Sequence, residues 1–110
     1  MKPQAPYRLE AAGEGKFALA GVLGFPTASA LLKRSRELFD GQQKLEIDLK
    51  GVTQADSAGL ALLLEWLSLA RQNNRQIEFL NLPEQIRALA RISEVEELFG
   101  VPHRPVPPRG

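Results

Sequence analysis

The sequence predicts a single α/β domain with a mixed four-stranded β-sheet whose helices lie mainly on one face. Short apolar or alternating runs are separated by longer stretches with helical spacing, in the order strand, strand, helix, strand, helix, strand, helix. Strands that alternate with helices favour parallel pairing, whereas two opening strands joined by a turn favour antiparallel pairing. Residues 45–49 alternate apolar and polar side chains, which is typical of a strand with only one buried face.

The first half of the sequence predicts a hairpin followed by a helix. Residues 7–11 alternate, residues 17–22 are largely apolar, and residues 13–16 between them are typical of a turn. Pro26 suits the first position of a helix, and Asp40-Gly41 is a helix-ending pair. The inward positions of this helix are predicted to be Ala28, Leu31, Leu32, Ser35, Leu38 and Phe39.

The second half predicts two further strands and two further helices. Residues 44–49 form the third strand, residues 58–72 the second helix and residues 76–80 the fourth strand. Pro83 opens a third helix, and residues 95–99 form a last short helical segment. The inward face of the third helix is predicted to be Ile86, Leu89 and Ala90.

The ends of the sequence differ in composition from the predicted domain, which covers residues 7–101. Residues 1–6 carry two prolines and little to bury, so we expect a flexible lead-in. Residues 102–110 carry four prolines, and we expect a disordered tail. The start lacks the apolar stretch of a signal peptide, and no apolar run approaches the roughly 20 residues that span a bilayer. We therefore expect a cytoplasmic protein without a membrane span.

Composition and motifs argue against catalysis, metal binding and nucleic-acid binding. The net charge is +1 and there is no cysteine, so neither a basic surface nor thiolate chemistry is indicated. Gly15-Lys16 lacks the upstream glycine and the hydroxyl residue of a phosphate-binding loop. The only histidine, His103, lies in the predicted tail, and Asp48 with Asp56 is a weak acid–base candidate. We expect no cofactor and no metal.

The stretch Asp56-Ser57-Ala58-Gly59-Leu60 joins the third strand to the second helix. A helix N-terminus presents free N–H groups, and either Asp56 or Ser57 suits the cap position. If Asp56 caps the helix, the Ser57 hydroxyl is free to face outward, where a phosphate would be tolerated. Gly59 then allows another surface to approach closely. The candidate partner-binding residues at this junction are Asp56, Ser57, Ala58 and Gly59.

The second helix is apolar over more than half of its circumference, wider than the stripe of an ordinary surface helix. We expect the neighbouring helices to cover Trp66. Leu62 and Leu69 are predicted to stay partly exposed, as an apolar edge that extends the partner-binding site.

The stretch at residues 56–60, residues 47–52 and residues 92–99 resemble the STAS domain family, the sulphate transporter and anti-sigma-factor antagonist domains. The similarity covers roughly residues 7–101. It implies a STAS-like mixed sheet with helices mainly on one face, in agreement with the element order above.

Two branches of the family are similar to this sequence. Anti-sigma-factor antagonists typically carry Asp-Ser-Ser-Gly with the first serine phosphorylated, but Ala58 replaces the second serine here. The run from Ser57 to Leu67 looks more like the MlaB branch, the STAS subunit of the bacterial phospholipid-trafficking ABC transporter that maintains outer-membrane lipid asymmetry. This resemblance implies a non-catalytic protein that binds the ATPase subunit, and through it the membrane permease, with Ser57 at the contact. The alternative is an anti-sigma-factor antagonist regulated by phosphorylation of Ser57.

Overall fold

The computed structural model describes residues 6–100 and confirms the mixed four-stranded sheet. Strand β1 spans Tyr7–Gly13, β2 spans Lys16–Leu23, β3 spans Lys44–Ala55 and β4 spans Gln76–Leu80. The strands lie in sequence order across the sheet. β1 pairs antiparallel with β2, whereas β2–β3 and β3–β4 are parallel pairs. Each parallel connection contains a helix, as the sequence predicts.

Within residues 6–100, three helices and one short 3₁₀ turn accompany the sheet. Helix α1 spans Ala28–Leu38, α2 spans Ser57–Gln72, α3 spans Glu84–Ile92, and the 3₁₀ turn spans Glu96–Phe99. Helix α1 begins at Ala28, two residues later than the start predicted at Pro26, because the buried Thr27 occupies the position before its first turn.

One face of the sheet carries the hydrophobic core. In β3, Leu45, Ile47 and Leu49 are buried, whereas the intervening Glu46 and Asp48 are only partly buried. The buried strand residues form a single cluster with buried residues of all three helices. The alternation in the sequence thus marks the side of the sheet on which the helices pack.

Strand β3 is twice as long as the predicted residues 44–49. Alternation stops after Leu49, but β3 keeps its pairing with β2 as far as Ala55, through two irregularities of register. Gly51 permits this continuation, since a Cβ there would lie 2.8 Å from the Cβ of Ala20 on β2. The second half of β3 is therefore a strand because its backbone pairs with β2, and not because its own side chains alternate.

The predicted tail with His103 and residues 1–5 of the predicted lead-in lie outside the described residues. Within residues 6–100, no helix combines the length and the apolar character that crossing a bilayer requires. The same residues contain no group of three or more His, Cys, Asp or Glu side chains placed to hold a metal ion.

Candidate functional site

Asp56 is the cap of helix α2. Its Oδ1 accepts hydrogen bonds from the N–H groups of Ala58 at 2.9 Å and Gly59 at 3.1 Å. The Asp56 backbone is extended, and the first helical residue is Ser57. The choice between Asp56 and Ser57 as the cap is thereby resolved in favour of Asp56, which satisfies two of the free donors of the first turn.

The same carboxylate holds the loop between β2 and α1. The Phe25 N–H donates to Asp56 Oδ1 at 3.2 Å and to Oδ2 at 3.1 Å. Gly24 lies so close that a Cβ on it would stand 2.6 Å from Oδ2. Asp56 therefore joins two segments that are 31 residues apart in the sequence.

Thr27 fixes the shape of this loop from the inside. Its side chain is buried, with Oγ1 donating to the Val22 carbonyl at 2.8 Å and accepting from the Gly24 N–H at 3.1 Å. The loop is thus held at both sides of Phe25, whose side chain is 85% exposed. Sequence reasoning missed Phe25, because nothing in the pattern shows whether an apolar loop residue points inward.

Backbone N–H groups lower the pKa of Asp56 below its ordinary value, first that of Phe25 and then those of Gly59 and Ala58, although slight burial opposes them. The pKa of Asp48 is also lowered, by a hydrogen bond from the Asn81 side chain and another from the Lys50 N–H. Both carboxylates are therefore ionised at neutral pH. A general acid requires the opposite shift, so neither carboxylate is tuned for the general-acid role.

Ser57 lies on the exposed side of the first turn of α2. Its hydroxyl makes no hydrogen bond with any of residues 6–100. Ala58 beside it is partly exposed. Asp56 is exposed as well, so Asp56, Ser57 and Ala58 are the accessible part of the stretch at residues 56–60.

Gly59 does not lie on the exposed surface, contrary to the expectation from the sequence. It is buried against the end of β2, and a Cβ on Gly59 would stand 2.1 Å from the carbonyl oxygen of Leu23. The absence of a side chain thus allows close packing of α2 on the protein's own backbone rather than on a partner.

The expected apolar edge is also wrong at Leu62, which is only 4% exposed. Leu62 lies one turn before Trp66, on the same side of α2. Trp66 is buried as expected, with its Nε1–H donating to Ser35 Oγ of α1 at 2.9 Å and its ring 5.5 Å from that of Phe39. Helix α1 therefore covers this side of α2, and with it Leu62.

Leu69 is partly exposed, but it lies far from Ser57. The two are twelve residues apart on one helix, or about 18 Å at ~1.5 Å per residue. The candidate surface therefore reduces to the first turn of α2 and the loop that carries Phe25, while a partner contact at Leu69 would be separate.

The chain belongs to the STAS domain family, since a family model described as "Mlab, STAS domain" matches residues 8–100. Domains of this family typically bind partner proteins and are generally non-catalytic. A comparison with curated proteins gives no match.

Solved structures share the fold. The anti-sigma factor antagonist SpoIIAA in its unphosphorylated form is 17% identical, with a TM-score of 0.60 over 78% of this chain and 82% of that chain. The Bacillus cell fate determinant SpoIIAA in the phosphorylated form is 17% identical, with a TM-score of 0.63 over 84% and 86%. A structure named Mglu is 24% identical, with a TM-score of 0.54 over 71% of this chain and 20% of that one. At these identities the likeness shows a common fold.

Proposed function

We propose that this member of the STAS family is a non-catalytic subunit that binds the ATPase subunit of an inner-membrane ABC transporter. In this role it supports assembly and activity of a transporter that carries phospholipids and maintains outer-membrane lipid asymmetry. The chain would act in the cytoplasm, peripheral to the inner membrane, and reach the permease through the ATPase subunit.

The exposed Ser57 hydroxyl carries this proposal. Asp56 satisfies the free N–H groups of Ala58 and Gly59, so the fold does not use the Ser57 side chain. A polar side chain at the accessible, positive end of a helix is available to a partner surface. The match to a family model of MlaB type and the Ala58 that follows Ser57 favour the transporter branch.

The test is binding of purified ATPase subunit to wild-type protein and to the variant Ser57→Arg. Arginine would place a long cation at the positive end of α2, inside a close contact, and we expect binding to fall below detection. Ser68→Arg is the matched control, because Ser68 is an exposed serine of the same helix about 16 Å further along it. We expect this control to bind normally.

Circular dichroism and thermal melting of both variants separate binding from folding. An exposed substitution outside the cap changes stability by only about 0.5 kcal/mol. Normal binding by Ser57→Arg would place the interface elsewhere and refute the assignment of Ser57. Unfolding of Ser57→Arg would instead show that the fold requires this position.

The proposal also predicts that the purified chain alone hydrolyses no nucleotide. Hydrogen bonds keep Asp48 and Asp56 ionised, so neither carboxyl group is suited to donate a proton to a leaving group at neutral pH. Reproducible hydrolysis that disappears on a point substitution within the chain would contradict the non-catalytic role.

The second candidate function is that of an anti-sigma-factor antagonist, favoured by the same accessible hydroxyl. A phosphate on Ser57 would lie at the N-terminus of α2, where the helix dipole stabilises negative charge. Mass spectrometry of the protein from its native host, with Ser57→Ala as the control, would detect such a phosphate. Co-purification of a small ATP-binding kinase rather than an ABC ATPase would favour this alternative.

A further inference from the structure

Phe25 is an exposed aromatic side chain in a loop that the fold holds rigidly. It is 85% exposed, the highest value for any large hydrophobic side chain within residues 6–100, ahead of Ile92 at 79% and Leu98 at 47%. Large aromatic side chains usually gain more from burial than any other residues, so this exposure leaves a substantial apolar area available.

Three contacts fix the backbone that carries Phe25. Its own N–H is bound by the Asp56 carboxylate, Gly24 packs against that carboxylate, and the Thr27 hydroxyl bridges Val22 and Gly24. An immobilised residue loses less conformational entropy on binding than one in a mobile loop. Phe25 is therefore already arranged for insertion into a complementary pocket.

Asp56 also sets the position of Phe25 relative to Ser57. One carboxylate accepts from the Phe25 N–H and from the first turn of α2, so the loop and the helix start move together. The Phe25 backbone thus lies within hydrogen-bond distance of the residue that precedes Ser57, so one partner surface could contact both exposed side chains.

We propose that Phe25 is the apolar anchor of this contact and inserts into an apolar pocket on the ATPase subunit, next to the position that receives Ser57. This inference rests on the proposed function. A protein pocket is favoured over a lipid surface, because the charged group that binds the loop is the Asp56 carboxylate, whereas helices and loops that insert into anionic lipid carry lysine and arginine.

The test measures the dissociation constant of the ATPase subunit with wild-type protein, Phe25→Ala and Ile92→Ala. We expect Phe25→Ala to raise the constant by at least tenfold, as truncation of a central aromatic anchor does. Ile92→Ala is the matched control, because Ile92 is an apolar residue of similar exposure. The first turn of α3 lies near the site, where Gln85 Oε1 accepts a hydrogen bond from the Ala55 N–H. Ile92 lies at the other end of α3, away from the site. We expect Ile92→Ala to bind like wild type.

A second variant, Phe25→Leu, keeps an apolar side chain and is expected to lose less affinity than alanine. All variants should melt like wild type, because neither exposed side chain belongs to the core. Loss of affinity in Phe25→Ala without a change in melting is the result that supports the anchor.

Each way of failing has its own signature. If wild-type protein does not bind the ATPase subunit, the proposed function fails and the anchor fails with it. If Ser57→Arg blocks binding while Phe25→Ala binds like wild type, only the anchor is refuted. A third outcome is that wild-type protein sediments with phosphatidylglycerol vesicles, and that Phe25→Ala abolishes this sedimentation but still binds the ATPase subunit. This result would assign Phe25 to a membrane surface and overturn the inference. Self-association of the wild type that Phe25→Ala abolishes, with ATPase binding retained, would assign Phe25 to a second copy and overturn it as well.

Discussion

Replacing Gly59 by alanine is expected to destabilise the domain, although alanine is the better helix former. Gly59 lies in the first turn of α2, where its Cα faces the carbonyl of Leu23 at the end of β2. Helix propensity alone would stabilise Gly59→Ala by up to about 1 kcal/mol. The contact with β2 predicts the opposite sign.

The size of the effect follows from the space available. An added Cβ would stand 2.1 Å from the Leu23 oxygen, whereas ordinary contact begins at 3.4 Å, so the start of α2 must move by about 1.3 Å. Overpacking of this kind costs about 1–3 kcal/mol, which exceeds the gain in propensity. After subtraction of the propensity gain we expect a net loss of up to about 2 kcal/mol, or a melting temperature lowered by up to roughly 16 °C in a domain of this size.

The assay is thermal and urea unfolding of wild type, Gly59→Ala and Ser57→Ala. Ser57→Ala adds no atom and changes an exposed side chain in the same turn, so we expect its stability to stay within about 0.5 kcal/mol of wild type. A Gly59→Ala variant that is more stable than wild type would refute the close packing of α2 on β2. It would also restore the interpretation of Gly59 as an open surface position.

Two further substitutions probe the contacts around the site and the core. Asp56→Ala should cost about 1 kcal/mol as a lost cap. The pKa of Asp56 is lowered in the folded state, so its contribution to the free energy of unfolding is present above the unfolded pKa of about 3.9 and is lost as the pH falls through the folded pKa. In urea unfolding, the difference in free energy of unfolding between Asp56→Ala and wild type should be constant between about pH 5 and 7 and should shrink below about pH 4. Ser35→Ala leaves the buried Trp66 Nε1–H without its acceptor and should cost about 1–3 kcal/mol, and a melting temperature equal to that of wild type would contradict this hydrogen bond.

The order and type of every strand and helix could be predicted from local patterns. Alternation over residues 45–49 and helical spacing in the longer runs identify elements whose buried faces the structure confirms. The C-terminal half of β3 could not be predicted, because residues 50–55 are paired by the β2 backbone and lack a pattern of their own. Pairing between strands is a property of the neighbour as much as of the strand itself.

Which apolar residues of α2 are buried could be predicted only in part. The sequence indicates that α2 needs covering on more than one side, but it does not show which neighbour covers which residue. Burial of Leu62 depends on the approach of α1, through the contact between Ser35 and Trp66 across 31 residues of sequence. Contacts between residues this far apart in the sequence cannot be predicted from hydrophobic periodicity, because periodicity indicates only which face of a single helix is apolar.

Within residues 56–59, some residues hold the fold together and another is available to a partner. Asp56 is exposed, but its carboxylate binds the Phe25 loop and caps α2, whereas the buried Gly59 lets α2 pack on β2. Ser57 points to solvent between them. Loss of partner binding in Asp56 or Gly59 variants would therefore mix damage to the fold with damage to the contact. Substitutions at Ser57 and Phe25, whose side chains lie outside the core, are the ones whose binding defects can be assigned to the interface itself.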